Sequence, residues 1–310
     1  MDEILVLGSF VADVAFRAAR LPVWGETLLG SASALGPGGK GSNQAVAAAR
    51  ALQGSGARVR MASRLGDDAF GQLARATWLA DGIDATLVDT CATPTGSAAI
   101  VVDDATGNNA IIVVPGACYT LTQADVDRVA EAIGAAKVLL LQLELPLDTV
   151  LRGLEIARAA GVTTILNPAP AVPLSDAMLA LVDYLVPNES EAELLSGMPV
   201  KTLEQAEMCA RALLARGPKT VILTLGERGA LACAKDEAAV FVPAFNAGPV
   251  VETTGAGDAF CGGFAAALLE GRALREALRF GCATAGLSVT RAGTAPSMPQ
   301  RAEIDALLRA

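Results

Sequence analysis

The sequence contains no histidine, although it is 310 residues long. This absence excludes Ser-His-Asp hydrolysis, Cys-His nucleophiles and zinc sites that use histidine ligands. Any general base that acts near neutral pH must therefore be a carboxylate, a lysine, a tyrosine or a cysteine.

Cysteine and long apolar runs are also scarce. The six cysteines, at positions 91, 118, 209, 233, 261 and 282, include no close pair, so we expect free and mostly buried thiols. Lys137–Leu141 and Gly263–Leu269 are much shorter than a membrane span. Acidic residues, Asp2 and Glu3, stand where a secretory signal would be basic. These features predict a cytoplasmic protein with no membrane partner.

The charge balance is acidic, with 24 Lys and Arg against 33 Asp and Glu and a net charge of −9. No segment concentrates the basic residues, so we expect no nucleic-acid partner. An anionic nucleotide would have to be bound locally, through backbone N–H groups, a few cations and a bound metal. Hydrophobic residues make up 52% of the chain, which provides for a sizeable core.

Apolar runs of strand length alternate with helical patterns from residue 138 onward. The predicted strands are Val138–Leu143, Thr163–Leu166, Tyr184–Val186 and Thr220–Leu225. Strands that alternate with helices in this way predict an α/β fold, in which helices cover both faces of a mostly parallel sheet. With its two helical layers, this is a three-layer α/β/α sandwich.

Two irregular β-rich pieces, about 11–36 and 94–116, interrupt this alternation. Within the second piece, Ser97–Asp103 and Ala110–Val114 are predicted to form a hairpin. We expect the two pieces to pair into a small second sheet, which would be a lid over the carboxyl ends of the parallel strands. No linker or repeat divides the chain, so residues 1–310 are predicted to form a single domain.

The segment 251–260, Val-Glu-Thr-Thr-Gly-Ala-Gly-Asp-Ala-Phe, joins a strand to an apolar helix. Its glycines allow successive backbone N–H groups to converge at a helix N-terminus, which is a typical anion site. Asp258 is then within reach of whatever reacts there. The alternative is an ordinary helix start with glycines chosen for packing.

The segment 35–44, Leu-Gly-Pro-Gly-Gly-Lys-Gly-Ser-Asn-Gln, opens an Ala-rich helix. Its glycines allow a small polar ligand to approach the backbone, and Lys40 and Asn43 supply donors for hydroxyl groups. The spacing of Gly36, Gly38 and Gly41 formally matches a dinucleotide fingerprint, but no clean strand precedes it. A phosphate-binding P-loop would need Ser or Thr in place of Gly41.

Polar residues follow several predicted strands. Asn188 and the glutamates of 187–193, Pro-Asn-Glu-Ser-Glu-Ala-Glu, could hold water-coordinated magnesium or could simply cap a helix. Asp13, Glu144 and the segment Thr224-Leu225-Gly226 lie in similar positions, and each could be a solvated loop residue. Their shared location, at one edge of one predicted sheet, is what favours a site.

These motifs together resemble the ribokinase family, the phosphofructokinase B superfamily of carbohydrate kinases. The resemblance covers nearly the whole chain and rests on ordered segments: Gly-Gly-Lys-Gly-Ser-Asn-Gln, Asn-Pro-Ala-Pro-Ala at 167–171, Pro-Asn-Glu-Ser-Glu-Ala-Glu, Thr-Leu-Gly and Thr-Gly-Ala-Gly-Asp. It implies a ribokinase-like fold and ATP-dependent phosphorylation of the primary hydroxyl of a pentose such as ribose. It also implies a homodimer formed through the lid sheet.

The resemblance implies a role for each matched residue. Asp258 corresponds to the catalytic base, and an anion hole is formed by Gly255, Ala256 and Gly257. Sugar hydroxyls are bound by Asp13, Gly39, Lys40, Asn43, Glu144 and Asp258. ATP contacts are made by Asn188, Thr224, Gly226 and Gly257. Magnesium is organised through water by Asn188 and Glu191, and a potassium site is bordered by Glu252, Thr253, Gly293 and Ser297.

Two residues depart from the family pattern. Val11 stands where asparagine is usual, so one hydrogen bond to the sugar is missing and 2-deoxyribose becomes a candidate substrate. Glu252 stands where aspartate usually helps to bind the monovalent cation, so activation by potassium is in doubt. Other sugars or nucleosides are further candidate acceptors.

Two other classes of protein compete with a kinase. A non-catalytic sugar or nucleotide sensor on the same scaffold would need no base, so the intact segment around Asp258 counts against it. A nicotinamide oxidoreductase would need a well-placed dinucleotide fingerprint, which this sequence lacks.

Overall fold

The computed structural model describes residues 2–310. The strands are β1 Glu3–Leu7, β2 Val11–Ala18, β3 Ala32–Gly38, β4 Arg58–Gly66, β5 Asp84–Cys91, β6 Thr95–Asp103, β7 Asn109–Gly116, β8 Val138–Leu141, β9 Thr163–Leu166, β10 Tyr184–Leu185, β11 Thr220–Thr224, β12 Ala230–Ala234 and β13 Val240–Val242. The helices are α1 Lys40–Ala51, α2 Ala69–Ala80, α3 Gln123–Arg128, α4 Ala130–Ala135, α5 Leu147–Ala160, α6 Asp176–Leu179, α7 Glu189–Ser196, α8 Leu203–Leu214, α9 Ala256–Leu269, α10 Leu274–Ser288 and α11 Arg301–Arg309.

The main sheet has nine strands in the order β13-β12-β11-β10-β9-β8-β1-β4-β5. Strands β11 to β5 are parallel, and β12 and β13 add an antiparallel edge. Alternate residues of β1 face opposite layers: Ile4 and Val6 pack with α1 and α9, whereas Leu5 and Leu7 pack with α5. The predicted three-layer α/β/α sandwich is confirmed.

The second sheet has four strands in the order β3-β2-β6-β7. Strands β6 and β7 form the predicted antiparallel hairpin. Strand β2 pairs with β6 in parallel, from Val11 beside Gly96 to Ala18 beside Asp103, so the two distant pieces of chain do pair. Because β2 follows β1 after only three residues, this sheet stands at the carboxyl edge of the main one.

Several elements differ from the sequence-based prediction. Asp13 lies within β2, not in a loop after the first strand. Strand β5 and helices α3 and α4 were not predicted. Each of those helices has only six residues, which is too short for a clear helical period, and β5 forms one edge of the main sheet.

All six cysteines are free, and five of them are buried, as the sequence predicted.

Within residues 2–310, no helix combines the length and the apolar character that crossing a membrane requires.

Candidate active site

Helix α9 begins without a side-chain cap. Its N-cap, Gly255, has a left-handed backbone with φ 83°, which glycine adopts readily. Ala256 N–H donates to Thr253 O at 3.1 Å, but within residues 2–310 the N–H groups of Gly257 and Asp258 have no acceptor. A Cβ atom on Gly257 would meet no heavy atom within 4 Å, so the space there is open. Unpaired N–H groups facing open space at a helix start are suited to an anion.

The Asp258 carboxylate lies in the first turn of α9 and is only 6% exposed. Its Oδ1 accepts a hydrogen bond from Gln44 Nε2 at 2.9 Å, and its Oδ2 accepts one from Asn43 Nδ2 at 3.0 Å. Both donors are neutral amides, so they fix the carboxylate without cancelling its charge. The buried Asn43 Oδ1 has no partner among the described residues and is left as an acceptor for a hydroxyl group.

Glycines at the start of α1 bring this helix against the turn that follows β1. A Cβ atom on Gly39, whose φ is 83°, would lie 2.5 Å from Val11 N, and one on Gly41 would lie 2.5 Å from Ser9 N. Only glycine permits these close approaches. The packing carries Lys40 and Asn43 to the carboxyl edge of the main sheet.

The charges of three carboxylates act on the Lys40 side chain. Burial alone would lower the pKa of Lys40, but the charges of Asp258, Glu144 and Glu191 raise it overall. Glu144 also binds the backbone, because its Oε2 accepts from Lys40 N at 2.8 Å and from the Ser9 hydroxyl. The charges of these carboxylates therefore favour the protonated, cationic form of Lys40.

Asp13 faces the same site from β2. Burial raises its pKa to about 6, and the charges of Glu144, Glu252 and Asp258 act in the same direction. A hydrogen bond from Thr294 Oγ1 at 3.4 Å opposes the shift. The second sheet thus brings to the site a carboxylate that changes charge just below neutral pH.

Asn188 and Glu191 form a closed capping box at the start of α7. Asn188 Oδ1 accepts from Glu191 N at 2.9 Å, while the two Glu191 carboxylate oxygens accept from Asn188 N and Asn188 Nδ2, each at 2.8 Å. Burial raises the pKa of Glu191, partly offset by the bond from Asn188 N–H. Because these oxygens are already hydrogen-bonded, they fit a magnesium ion reached through water.

Thr224 and Gly226 lie beside this capping box. Thr224 ends β11 and forms an isolated parallel bridge with Asn188. Gly226 follows with a left-handed φ of 54°. The predicted nucleotide contacts therefore share one edge of the sheet with Asn188.

The four residues predicted to border a potassium site lie around one loop. Glu252 Oε2 accepts from Gly293 N at 2.8 Å, and Ser297 Oγ donates to Thr294 O at 2.7 Å. The Thr253 carbonyl accepts from Ala256 N, so this loop borders the start of α9. The carboxylate, hydroxyl and carbonyl oxygens fit a hard cation, although each already makes one hydrogen bond.

Sequence reasoning assigned no role to a second set of polar residues around the site, although Gln44 and Asn167 lie in the motifs quoted above. These are Ser9, Gln44, Gln142, Asn167 and Thr294, all of them buried. The available signal was polarity next to a buried strand: Gln142 follows β8 directly, and Asn167 follows β9 directly.

The chain matches the family model described as pfkB family carbohydrate kinase over residues 1–301. An uncapped helix start beside a buried carboxylate, on an α/β scaffold, suits the transfer of a phosphoryl group. The chain belongs to the pfkB family of carbohydrate kinases, which are ATP-dependent phosphotransferases.

Individual relatives agree with this assignment. The chain is 38% identical to a deoxyribokinase of Salmonella typhi over 298 residues, which cover 96% of this chain and 95% of the relative. It is 38% identical to a ribokinase of Haemophilus influenzae over 300 residues, covering 97% and 96%. A solved structure of Arabidopsis thaliana ribokinase complexed with ribose and ATP matches with a TM-score of 0.91 and 34% identity, covering 100% of this chain and 99% of the other.

Proposed function

We propose that the protein transfers the γ-phosphoryl group of ATP to the primary hydroxyl of D-ribose, which gives D-ribose 5-phosphate. One observation carries the proposal. The buried Asp258 carboxylate lies next to the N–H groups of Gly257 and Asp258, which have no acceptor within residues 2–310. A base and an anion site are thereby only one residue apart. The ribokinases among the relatives support ribose as the acceptor.

Asp258 acts as the general base in this proposal. As the sugar oxygen attacks the γ-phosphorus atom, its proton passes to the Asp258 carboxylate, the bond from phosphorus to the bridging oxygen breaks, and ADP leaves. The N–H groups at the start of α9 stabilise the charge on the transferring phosphoryl oxygens. They belong to the anion hole formed by Gly255, Ala256 and Gly257. Magnesium, when bound with ATP, neutralises phosphate charge.

The sugar occupies the space between α1 and the second sheet in this proposal. Its hydroxyls meet Asp13, Gly39, Lys40, Asn43 and Glu144. The unpaired Asn43 Oδ1 supports this arrangement, because a buried acceptor without a partner is costly unless a ligand satisfies it.

The nucleotide lies along the edge formed by Asn188, Thr224, Gly226 and Gly257. In this proposal Asn188 and Glu191 would hold magnesium through water, and Glu252, Thr253, Gly293 and Ser297 would border a potassium site. The oxygen atoms of these two groups support both assignments.

The second sheet acts as a lid in this proposal, and residues 1–310 work as one kinase unit. The lid's β7 exposes Ile111, Ile112, Val113 and Val114, which are 49%, 72%, 52% and 58% exposed. Four consecutive exposed apolar residues on one strand support a homodimer formed through this sheet. The free cysteines support a reducing compartment, the cytoplasm.

A second candidate substrate is 2-deoxyribose, and Val11 favours it. Val11 lies two residues before Asp13 on β2, so both side chains point to the same face of the sheet. Val11 is 4% exposed and cannot hydrogen-bond a hydroxyl group. The deoxyribokinase of Salmonella typhi is a relative at 38% identity.

ADP release with Mg-ATP tests the proposal across ribose, 2-deoxyribose, fructose and nucleosides, each with and without potassium. We expect turnover with a pentose above the rate without sugar. The absence of turnover with every acceptor would contradict the proposal.

The variant Val11→Asn tests the choice between the two pentoses. We expect kcat/KM for ribose relative to 2-deoxyribose to rise about fivefold, since one added hydrogen bond contributes about 1 kcal/mol. An unchanged ratio would mean that Val11 does not face the sugar.

A further inference from the structure

Gln44 lies beside the proposed base, and the mechanism above gives it no role. Its side chain is fully buried. Its Nε2 donates to Asp258 Oδ1 at 2.9 Å and to Asn167 Oδ1 at 3.1 Å. Its Oε1 accepts from Gln142 Nε2 at 2.6 Å. All the hydrogen bonds of this amide are therefore made to buried polar side chains.

The two outer members of this network are held by the main sheet. Gln142 directly follows β8, and Asn167 directly follows β9. Asn167 Nδ2 donates to Val186 O at 2.9 Å, so the chain after β10 also supports the network. The base on α9 is thereby connected through side chains to the carboxyl ends of neighbouring parallel strands.

The direction of each amide follows from the charge of Asp258. An ionised carboxylate only accepts hydrogen bonds, so Gln44 must turn its NH₂ group toward it. Gln44 Oε1 then faces Gln142, which must turn its own NH₂ group toward Gln44. As a result, Gln142 Oε1 is buried and has no partner in the part of the chain that the structure describes. A buried oxygen without a partner lowers the stability of the fold. The same amide orientation keeps the NH₂ group of Gln44 directed at Asp258.

Asn43 and Gln44 hold the two oxygens of Asp258 from different sides. Asn43 also has a free Oδ1, so its substitution would disturb the sugar as well as the base. Gln44 has no free polar atom, because its Nε2 and its Oε1 are both engaged. Gln44 contacts the base only through Asp258 Oδ1, and its other two bonds, to Asn167 and Gln142, orient its amide.

We propose that Gln44 is a positioning residue, oriented by Gln142 and Asn167, that fixes the Asp258 carboxylate in the direction from which it accepts the sugar proton. The proposal rests on the proposed function, because it assumes that Asp258 is the base. Without Gln44, the carboxylate would keep only its bond to Asn43 and could rotate away from the reacting hydroxyl.

The variant Gln44→Met tests this role, because methionine has a similar length and volume but no amide. We expect kcat to fall about 10- to 100-fold, the range for a misplaced catalytic group, while KM for the sugar and for ATP stays within about twofold. In an Asp258→Asn background, the same change should reduce kcat no further. Ser42→Ala is the matched control, because it removes a buried bond from Trp78 Nε1 (2.9 Å) on the same helix. We expect near-normal kcat in that control.

Equal losses from Gln44→Met in both backgrounds would overturn the proposal, because they would show a structural role. A normal kcat in Gln44→Met, combined with a strong loss in Asp258→Asn, would overturn this inference and leave the proposed function intact. Normal turnover in Asp258→Asn would overturn both.

The variant Gln142→Met serves as the test if Gln44→Met does not fold. Gln142 contacts the Gln44 amide and not the base, so we expect a smaller loss of kcat, about 3- to 10-fold. A normal kcat in folded Gln142→Met would overturn the proposal.

Discussion

Two helices of this protein begin at the carboxyl edge of the same sheet, and their first turns differ. Helix α7 begins with a closed capping box, in which Asn188 and Glu191 satisfy each other. Helix α9 begins at Gly255 with no side-chain cap, and the N–H groups of Gly257 and Asp258 have no acceptor within residues 2–310. A capped start is complete without a ligand, whereas an uncapped start facing open space is suited to an anion.

Other polar groups around the site also differ in whether protein partners satisfy their hydrogen bonds. Within residues 2–310, Asn43 Oδ1 has no partner, and Asp13 accepts only one long hydrogen bond, from Thr294 at 3.4 Å. These open groups lie near α9, in the part of the site that we assign to the sugar and the transferring phosphoryl group. The satisfied groups lie at α7, where we assign indirect contacts to magnesium.

The largest expected effect is at the uncapped helix. Asp258→Asn should lower kcat about 10²–10⁴-fold, the usual range for loss of a positioned base. ATP binding, measured by calorimetry, should be largely retained, because the N–H groups remain. Near-normal turnover would mean that Asp258 is not the base, and the start of α9 would then have no catalytic role that distinguishes it from the start of α7.

Gly257→Ala should separate stability from activity. The new Cβ atom would meet no protein heavy atom within 4 Å, and alanine has a higher helix propensity than glycine. The free energy of unfolding should therefore rise slightly. The methyl group would occupy the space assigned to phosphate, so we expect kcat/KM for ATP to fall about 10²-fold. Unchanged kinetics would show that this space is not used.

Much of the fold was predictable, because buried parallel strands have continuous apolar sequences. Val138–Leu141 and Thr163–Leu166 are examples, and the β6–β7 hairpin was marked by its turn residues. Strand β5 at the sheet edge and the six-residue helices α3 and α4 have patterns that are too weak to recognise.

The candidate site was only partly predictable. Asp258, Lys40 and Asn43 lie in glycine-rich segments whose local pattern indicates a ligand. The contacts of Gln44 with Gln142 and Asp258 join residues 98 and 214 positions apart, so no local pattern reveals them. Likewise, the sequence does not reveal that Asn188 and Glu191 hydrogen-bond each other in a capping box, because the same residue types also suit a magnesium site.

The pH dependence of sugar binding tests the role of Asp13, one of the groups near α9 that we assign to the sugar. Its pKa of about 6 means that it is charged at neutral pH and protonated below. As pH falls through about 6, KM for the sugar should rise about fivefold, because a charged acceptor binds a hydroxyl more strongly by about 1 kcal/mol. Asp13→Asn should remove this dependence, and a persisting dependence would assign it to another group.

The same pKa predicts a change in stability. The native pKa of Asp13 is raised above 3.8, so its contribution to stability is complete below pH 3.8 and is lost as pH rises through about 6. Asp13→Asn should therefore be more stable than the unmodified protein at neutral pH. Thermal unfolding at pH 5 and pH 8 measures this difference.

The smallest expected effect is at the capped helix. Asn188→Ala opens the capping box and should lower the free energy of unfolding by about 1 kcal/mol. Thr202→Ala is a matched control, because Thr202 caps α8 by accepting from Gln205 N. If Asn188 also organises magnesium, only Asn188→Ala should raise KM for Mg-ATP. Equal kinetics in the two variants would leave Asn188 with a capping role alone.

The central claim is that phosphate moves from ATP to a primary sugar hydroxyl at the start of α9. The most direct test follows labelled γ-phosphate from ATP into ribose and 2-deoxyribose, with 5-deoxyribose as the matched acceptor that lacks this hydroxyl. The account predicts a labelled sugar phosphate with at least one of the first two sugars and only background hydrolysis with 5-deoxyribose. Equal labelling of 5-deoxyribose, or no labelling of any sugar, would contradict it.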